Sequence, residues 1–178
     1  MNRSLIADRY AKALFKLAVE QNELEQIYID INLLQEYCHD ADGFMDLLRN
    51  PVIKPKQKKH AFHTALSGKL TNITLNLIDL LIVRNREVLL EDINRRFIWL
   101  YKRHKGIKEV VLYTAVHIDS KQEAGLIQFL HNQLKAPIEL TLKVNPELLG
   151  GFILTIDGKM ADASMRSKLK QIKRQLLS

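Results

Sequence analysis

The sequence has one cysteine, four prolines and seven glycines in 178 residues. A lone Cys38 leaves no intrachain disulfide and suits a reducing compartment. It stands on an apolar helical stripe, where a small buried hydrophobe is expected rather than a nucleophile. So little proline and glycine leaves little room for long loops or disorder. No apolar run reaches the roughly 18 residues a membrane-crossing helix needs. Met1-Asn2-Arg3-Ser4 leads straight into a charged amphipathic segment, so no secretory signal is expected.

Catalytic signatures are missing too. Gly158-Lys159 has the wrong spacing for a phosphate loop, Met160 stands where a serine or threonine is needed, and the pair falls in a turn. His60 and His63 are one helical turn apart, but no carboxylate or cysteine is arranged around them. No zinc-protease, paired-cysteine or nucleophile-elbow motif occurs. No enzyme activity, cofactor, metal or small-molecule substrate is expected. Aromatics, only 7% of the chain, are absent around the densest basic block, Lys54, Lys56, Lys58, Lys59 and His60. Only Phe62 is near, and it belongs to a core stripe. RNA-binding surfaces interleave cations with stacking rings, so a solvated helical face is expected there and no nucleic-acid partner.

What is present is ordinary for a globular chain: 47% hydrophobic and 26% charged residues. The length allows one or two domains with real cores. The net charge of +7 and pI near 9.5 favour acidic partners, nucleic acid or an anionic membrane surface. A basic RNA-binding or ribosome-associated helical module is therefore the alternative reading.

Hydrophobic periodicity predicts helices over Leu5–Glu20, Glu23–His39, Phe44–Leu48, Lys56–Leu66, Thr71–Arg84 and Val88–Lys105. In the second, Leu24, Ile27, Ile31, Leu34 and Cys38 form a packed seam. In the fourth, Ala61, Phe62, Ala65 and Leu66 point inward. Two helices carry apolar arcs wider than one core contact needs. The first shows Ile6, Tyr10, Leu14 and Leu17 on one side, with Ala7, Ala11 and Ala18 beside Phe15 on the other edge. That small-residue row admits close approach of a sister helix or of an external one. Thr71–Arg84 is apolar around about two-thirds of its circumference. The pattern then changes to a strand, Val110–Ile118, and a helix, Lys121–Leu134, with Ala124, Ile127, Leu130 and Leu134 inward. A strand at Ile138–Val144 follows. The fold class is mainly α: a six-helix bundle over 1–105, then a small α+β domain over 106–178.

The last third has the sharpest local signals. Asn145-Pro146 breaks the chain. Gly150-Gly151 opens a strand, Phe152–Ile156. Asp157-Gly158 predicts a two-residue hairpin turn into Lys159–Asp162. Ser164 is placed to cap a final helix with Met165, Leu169, Ile172 and Leu176 on one side. Arg166, Lys168, Lys170, Lys173 and Arg174 take the other, and no acid follows Asp162.

Asn145-Pro146, Leu149-Gly150-Gly151-Phe152, Asp157-Gly158 and Asp162-Ala163-Ser164-Met165-Arg166 together resemble the C-terminal signature of the delta subunit of F-type ATP synthases. That family includes the mitochondrial oligomycin-sensitivity-conferral protein. Ala7-Asp8-Arg9-Tyr10-Ala11-Lys12-Ala13-Leu14-Phe15, Asn50-Pro51-Val52-Ile53 with Lys58-Lys59, and Leu80–Leu90 with Asn85-Arg86 match in the same order. Met165 departs from the family's usual valine, a swap that conserves volume closely enough to be tolerated. The resemblance implies a non-catalytic peripheral-stalk subunit linking the catalytic head to the b subunits. It would lie at the cytoplasmic face of a bacterial membrane and touch the membrane only through the complex. It implies that the first and fifth helices form a groove for the N-terminal helix of an α subunit, here through Ala7, Tyr10, Ala11, Leu14, Ala18, Ile73, Leu77, Ile78 and Leu81. It also implies that the C-terminal domain holds the b subunits, here through Arg166, Lys170, Lys173 and Arg174.

Overall fold

The computed structural model describes residues 3–40 and 43–176. Ala41 and Asp42, in the break after the second helix, lie outside the described residues, as do Leu177 and the Leu176 side chain. The chain is mostly helical with one small four-stranded sheet, and it divides into two compact units, Met1–Lys102 and Arg103–Ser178.

The first unit holds α1 (Arg3–Glu20), α2 (Leu24–Asp40), α3 (Phe44–Arg49), α4 (Pro55–Leu66) and α5 (Asn72–Val83). After one 3-10 turn (Glu87–Leu89), α6 (Leu90–Lys105) runs on across the boundary. All six contribute to one core, with Ile27, Ile31 and Leu34 of α2 against Phe62, Ile78, Leu81, Ile93 and Phe97. The predicted seam of α2 is the inner one, although Leu24 and Cys38 at its ends are only half-buried. On α4, Phe62 and Leu66 are buried, Ala61 is half-buried and Ala65 is exposed.

Two buried polar groups pin this unit. Asp30 of α2 accepts from the Thr71 backbone N–H at 2.8 Å and from the Thr71 hydroxyl at 2.7 Å. Thr71 in turn caps α5, its Oγ1 accepting from the Thr74 N–H. The fifth helix is thus fixed to the second at its first turn. Lys58 is the second pin. The sequence places it in a solvated basic block, but it is only 4% exposed. Its ammonium donates to Glu87 Oε1 and to the Leu48 carbonyl, both at 2.6 Å. A buried charge is tolerable only when so paired, and periodicity cannot reveal a partner 29 residues away.

The second unit is built on β1 (Lys108–Thr114), α7 (Ser120–Leu134), β2 (Ile138–Val144), β3 (Phe152–Ile156), β4 (Lys159–Asp162) and α8 (Met165–Leu176). The sheet order is β2-β1-β3-β4, with β1–β2 parallel and the other pairs antiparallel. The strand expected over Val110–Ile118 starts and stops earlier. Its extent is set by its partner, since Thr114 pairs with Val144 just before Asn145-Pro146 ends β2. Beyond it the Thr114 hydroxyl donates to the Val116 carbonyl and turns the chain. The inner face of α7 also differs: Leu130 is buried and Glu123, Leu126 and Leu134 are half-buried, whereas Ala124 and Ile127 face outward. Both registers fit a helical period; the sheet selects one of them.

The signature of the last third closes on itself. Asp157 (φ 46) and Gly158 (φ 82) make the expected turn. Gly151 sits at φ 72, and a Cβ there would lie 2.3 Å from the Ala163 carbonyl oxygen. Only glycine allows that approach. Met165 N–H then donates to the Gly150 carbonyl, and Ala163 N–H to that of Phe152. Asp162 accepts from Ser164 N–H and the Ser167 hydroxyl, while Ser164 Oγ accepts from Ser167 N–H as the cap. The Ser167 and Ser164 bonds hold the Asp162 carboxyl below the usual carboxylate range. Gly150-Gly151 and Asp162–Arg166 therefore form one joint that sets the departure of α8.

Candidate functional site

Where α1 and α5 lie side by side they leave an apolar groove of about 220 Å³. Tyr10, Ala13, Leu14 and Leu17 line it from α1; Ile73, Asn76, Leu77 and Leu80 line it from α5. The positions fall at helical spacing on each side. Leu14 and Leu77 form its floor and belong to the core. Leu17 at 38% and Leu80 at 44% exposure are its outer walls, and Val83 continues the α5 stripe. One end opens into a polar cleft with Gln21, Glu23, Gln26 and Asn72. At the other end Arg86, past the end of α5, donates to the Tyr10 hydroxyl at 3.1 Å.

The nine positions named from the sequence do not all reach this groove. Tyr10, Leu14, Ile73 and Leu77 do. Ala7, Ala11, Ala18, Ile78 and Leu81 are buried in the unit's own core, Ala11 and Ala18 completely. The row of small side chains serves internal packing. Phe15 next to it meets Phe97 of α6 at 5.9 Å between ring centroids. Ala13, Leu17, Asn76 and Leu80 were not singled out. Leu17 and Leu80 already stood on the apolar arcs, but periodicity cannot say which part of a wide arc the core consumes. Asp30 and Arg86, which fix the helix start and the tyrosine, carry no local signal beyond their charge.

A larger cleft of about 470 Å³ lies between α1 and α6, lined by Ser4, Leu5, Asp8, Asp92, Arg95, Arg96 and Trp99. Its charges satisfy one another. Arg96 Nε donates to Asp8 at 2.6 Å, Lys12 lies 2.7 Å from the same carboxylate, and Arg95 pairs with Asp92. Arg96 also stacks 3.9 Å from the Trp99 ring centroid. The Lys12 and Arg96 bonds hold the Asp8 carboxyl below its ordinary range against the opposing effect of burial.

In the second unit Lys170, Lys173 and Arg174 are exposed along α8, while Arg166 pairs with Glu147 at 2.9 Å. Met165, Leu169 and Ile172, which the sequence sets on one side of this helix, are each about half-exposed. The helix thus shows an open apolar stripe beside its cations.

Elsewhere Gly158 lies in the hairpin turn and Lys159 opens β4, and His63 faces Asp79 at 3.3 Å beside Lys59 at 3.2 Å. Cys38 is half-buried, its thiol pushed up to about 11 chiefly by desolvation. Among the described residues no helix is long and apolar enough to cross a membrane.

Comparison with known proteins gives a consistent result over the full length. The family model for the ATP synthase delta (OSCP) subunit matches residues 6–176. ATP synthase subunit delta of Lactobacillus johnsonii is 32% identical over 178 residues, covering 99% of this chain and 97% of that protein. The Desulforamulus reducens protein of the same name is 30% identical over 178 residues, covering 100% and 98%. The fold is similar to that of a chain in the cryo-EM structure of the Toxoplasma gondii mitochondrial ATP synthase hexamer. The TM-score is 0.77 at 23% identity, over 97% of both chains.

Proposed function

The chain belongs to the ATP synthase delta (OSCP) subunit family, and from that premise we propose that its α1–α5 groove holds the N-terminal helix of an α subunit. It is a peripheral-stalk subunit of the proton-translocating F-type ATP synthase, where it holds the catalytic head so that rotation is coupled to ATP synthesis. Its part is mechanical and non-catalytic. Rotation inside the head exerts a counter-torque, and an unheld head would turn with the rotor and make no ATP. Holding requires slow dissociation, which an amphipathic helix seated in an apolar groove supplies.

The observation that carries this reading is the pair of outward apolar rows, Tyr10–Ala13–Leu17 on α1 and Ile73–Leu80 on α5. Covering half-exposed leucines such as Leu17 and Leu80 contributes roughly 1 kcal/mol each. Their helical spacing suits a third helix. The six helices of 1–105 act on this reading as a bundle that grips the head, and 106–178 as a separate domain that grips the b subunits. Lys170, Lys173 and Arg174, with the open stripe Met165–Leu169–Ile172, would take an acidic amphipathic end of b. The protein would lie on the cytoplasmic face of a bacterial membrane, reached only through the complex.

Calorimetric titration of the full chain with a synthetic α-subunit N-terminal peptide tests the groove. Saturable binding that Leu80→Asp weakens at least tenfold supports it. Equal binding by wild type and Leu80→Asp overturns it.

A further inference from the structure

Arg86 belongs to neither the core nor the apolar lining, yet its position is closely determined. The α5 helix ends with two backbone bonds, Arg86 N–H to the Leu81 carbonyl at 2.8 Å and Asn85 N–H to the Ile82 carbonyl at 3.1 Å. This closure needs a left-handed residue just past the helix, and Asn85 provides it at φ 49. The closure fixes where the Arg86 side chain starts. From there its Nη1 reaches the Tyr10 hydroxyl at 3.1 Å. The guanidinium carbon stands 5.8 Å from the Tyr10 ring centroid, within cation–π range. Tyr10 is itself a wall of the groove. The sequence pair Asn85-Arg86 thus leads from helix closure to a side chain on the neighbouring helix.

We propose that Arg86 is a positioning residue for the groove: it holds Tyr10 by hydroxyl and ring, so that the tyrosine is a preformed wall before a partner helix arrives. The inference rests on the groove reading above. A free tyrosine would have to be ordered when the partner binds, and that cost would subtract from affinity. With its hydroxyl held by a charged donor, the ring keeps one orientation in the unbound protein.

The test uses the full chain with wild type, Arg86→Met, Tyr10→Phe and the double variant. In the peptide titration Arg86→Met weakens binding roughly five- to tenfold, chiefly through faster release. Tyr10→Phe also weakens it, and the double variant is no weaker than Arg86→Met, because both changes break one contact. Arg86→Lys, which keeps a donor and a charge, recovers part of the loss. Unchanged affinity in Arg86→Met, or strictly additive losses, overturns the inference. A second arm needs no peptide: NMR of ring-labelled tyrosine in the free protein. Arg86→Met should shift and average the Tyr10 ring signals while leaving those of Tyr101 in place. Tyr10 signals identical to wild type overturn the inference even if the peptide binds. A wild type that ignores the peptide overturns the groove reading, and the NMR arm still decides the clamp.

Discussion

Lys58 Nζ lies 2.6 Å from a Glu87 carboxylate oxygen, with both residues withdrawn from water. This pair joins α4 to the turn before α6, and through the Leu48 carbonyl it ties down the end of α3. It also removes one cation from the only dense basic block of the first unit, while Lys59 is occupied by Asp79. The case for a nucleic-acid surface there loses its central residues. Lys58→Met should destabilise the chain by about 3 kcal/mol, because it leaves Glu87 buried and unpaired. Lys58→Met combined with Glu87→Leu should recover most of that loss. Urea unfolding followed by circular dichroism checks both.

The joint that aims α8 makes a comparison of two glycines informative. Gly151→Ala would bring a Cβ against the Ala163 carbonyl and strain the backbone at φ 72. A cost of roughly 2–4 kcal/mol is expected. Gly158→Ala has a similar φ but open space around it, and should cost only about 1 kcal/mol. Denaturant midpoints of the two variants measure the difference.

Burial rather than a nearby base governs Cys38. With its thiol pushed up to about 11, the thiolate is scarce near neutrality. Alkylation by iodoacetamide at pH 8 should be at least about tenfold slower than for a free cysteine, and the rate should keep rising as the pH approaches 11. A plateau near pH 9 would indicate an exposed, ordinary thiol.

On α8 the cations and the open stripe should act together. Reversing Lys170, Lys173 and Arg174 to glutamate should lower co-purification with b and make the remainder more salt-sensitive. Leu169→Ser should lower it without changing the salt dependence. Undiminished recovery of b in both variants would place its site elsewhere.

Much of this architecture was legible because local chemistry specifies it. Thr71, Ser164, Asp157-Gly158 and Asn145-Pro146 each start or stop an element where the sequence says, since caps and turns depend on neighbours in the chain. What the sequence leaves open or misplaces shares a different cause. Ala7, Ala11 and Ala18, the outward side of α7, the end of β1 and the buried Lys58 all depend on what another segment covers. Period alone shows that α1 and α5 are apolar on too many sides; it does not show which side remains open. Of the positions the sequence points to, Tyr10, Leu14, Ile73 and Leu77 line the groove, and Ala13, Leu17, Asn76 and Leu80 line it as well.

The groove is tested most directly by backbone amide NMR of the full chain, titrated with the α-subunit N-terminal peptide. Shift changes should concentrate at Tyr10, Ala13, Leu17, Ile73, Asn76 and Leu80, and fade toward the α1–α6 cleft around Trp99. Changes centred on Trp99 and Arg95, or none at saturating peptide, would contradict a helix seated between α1 and α5.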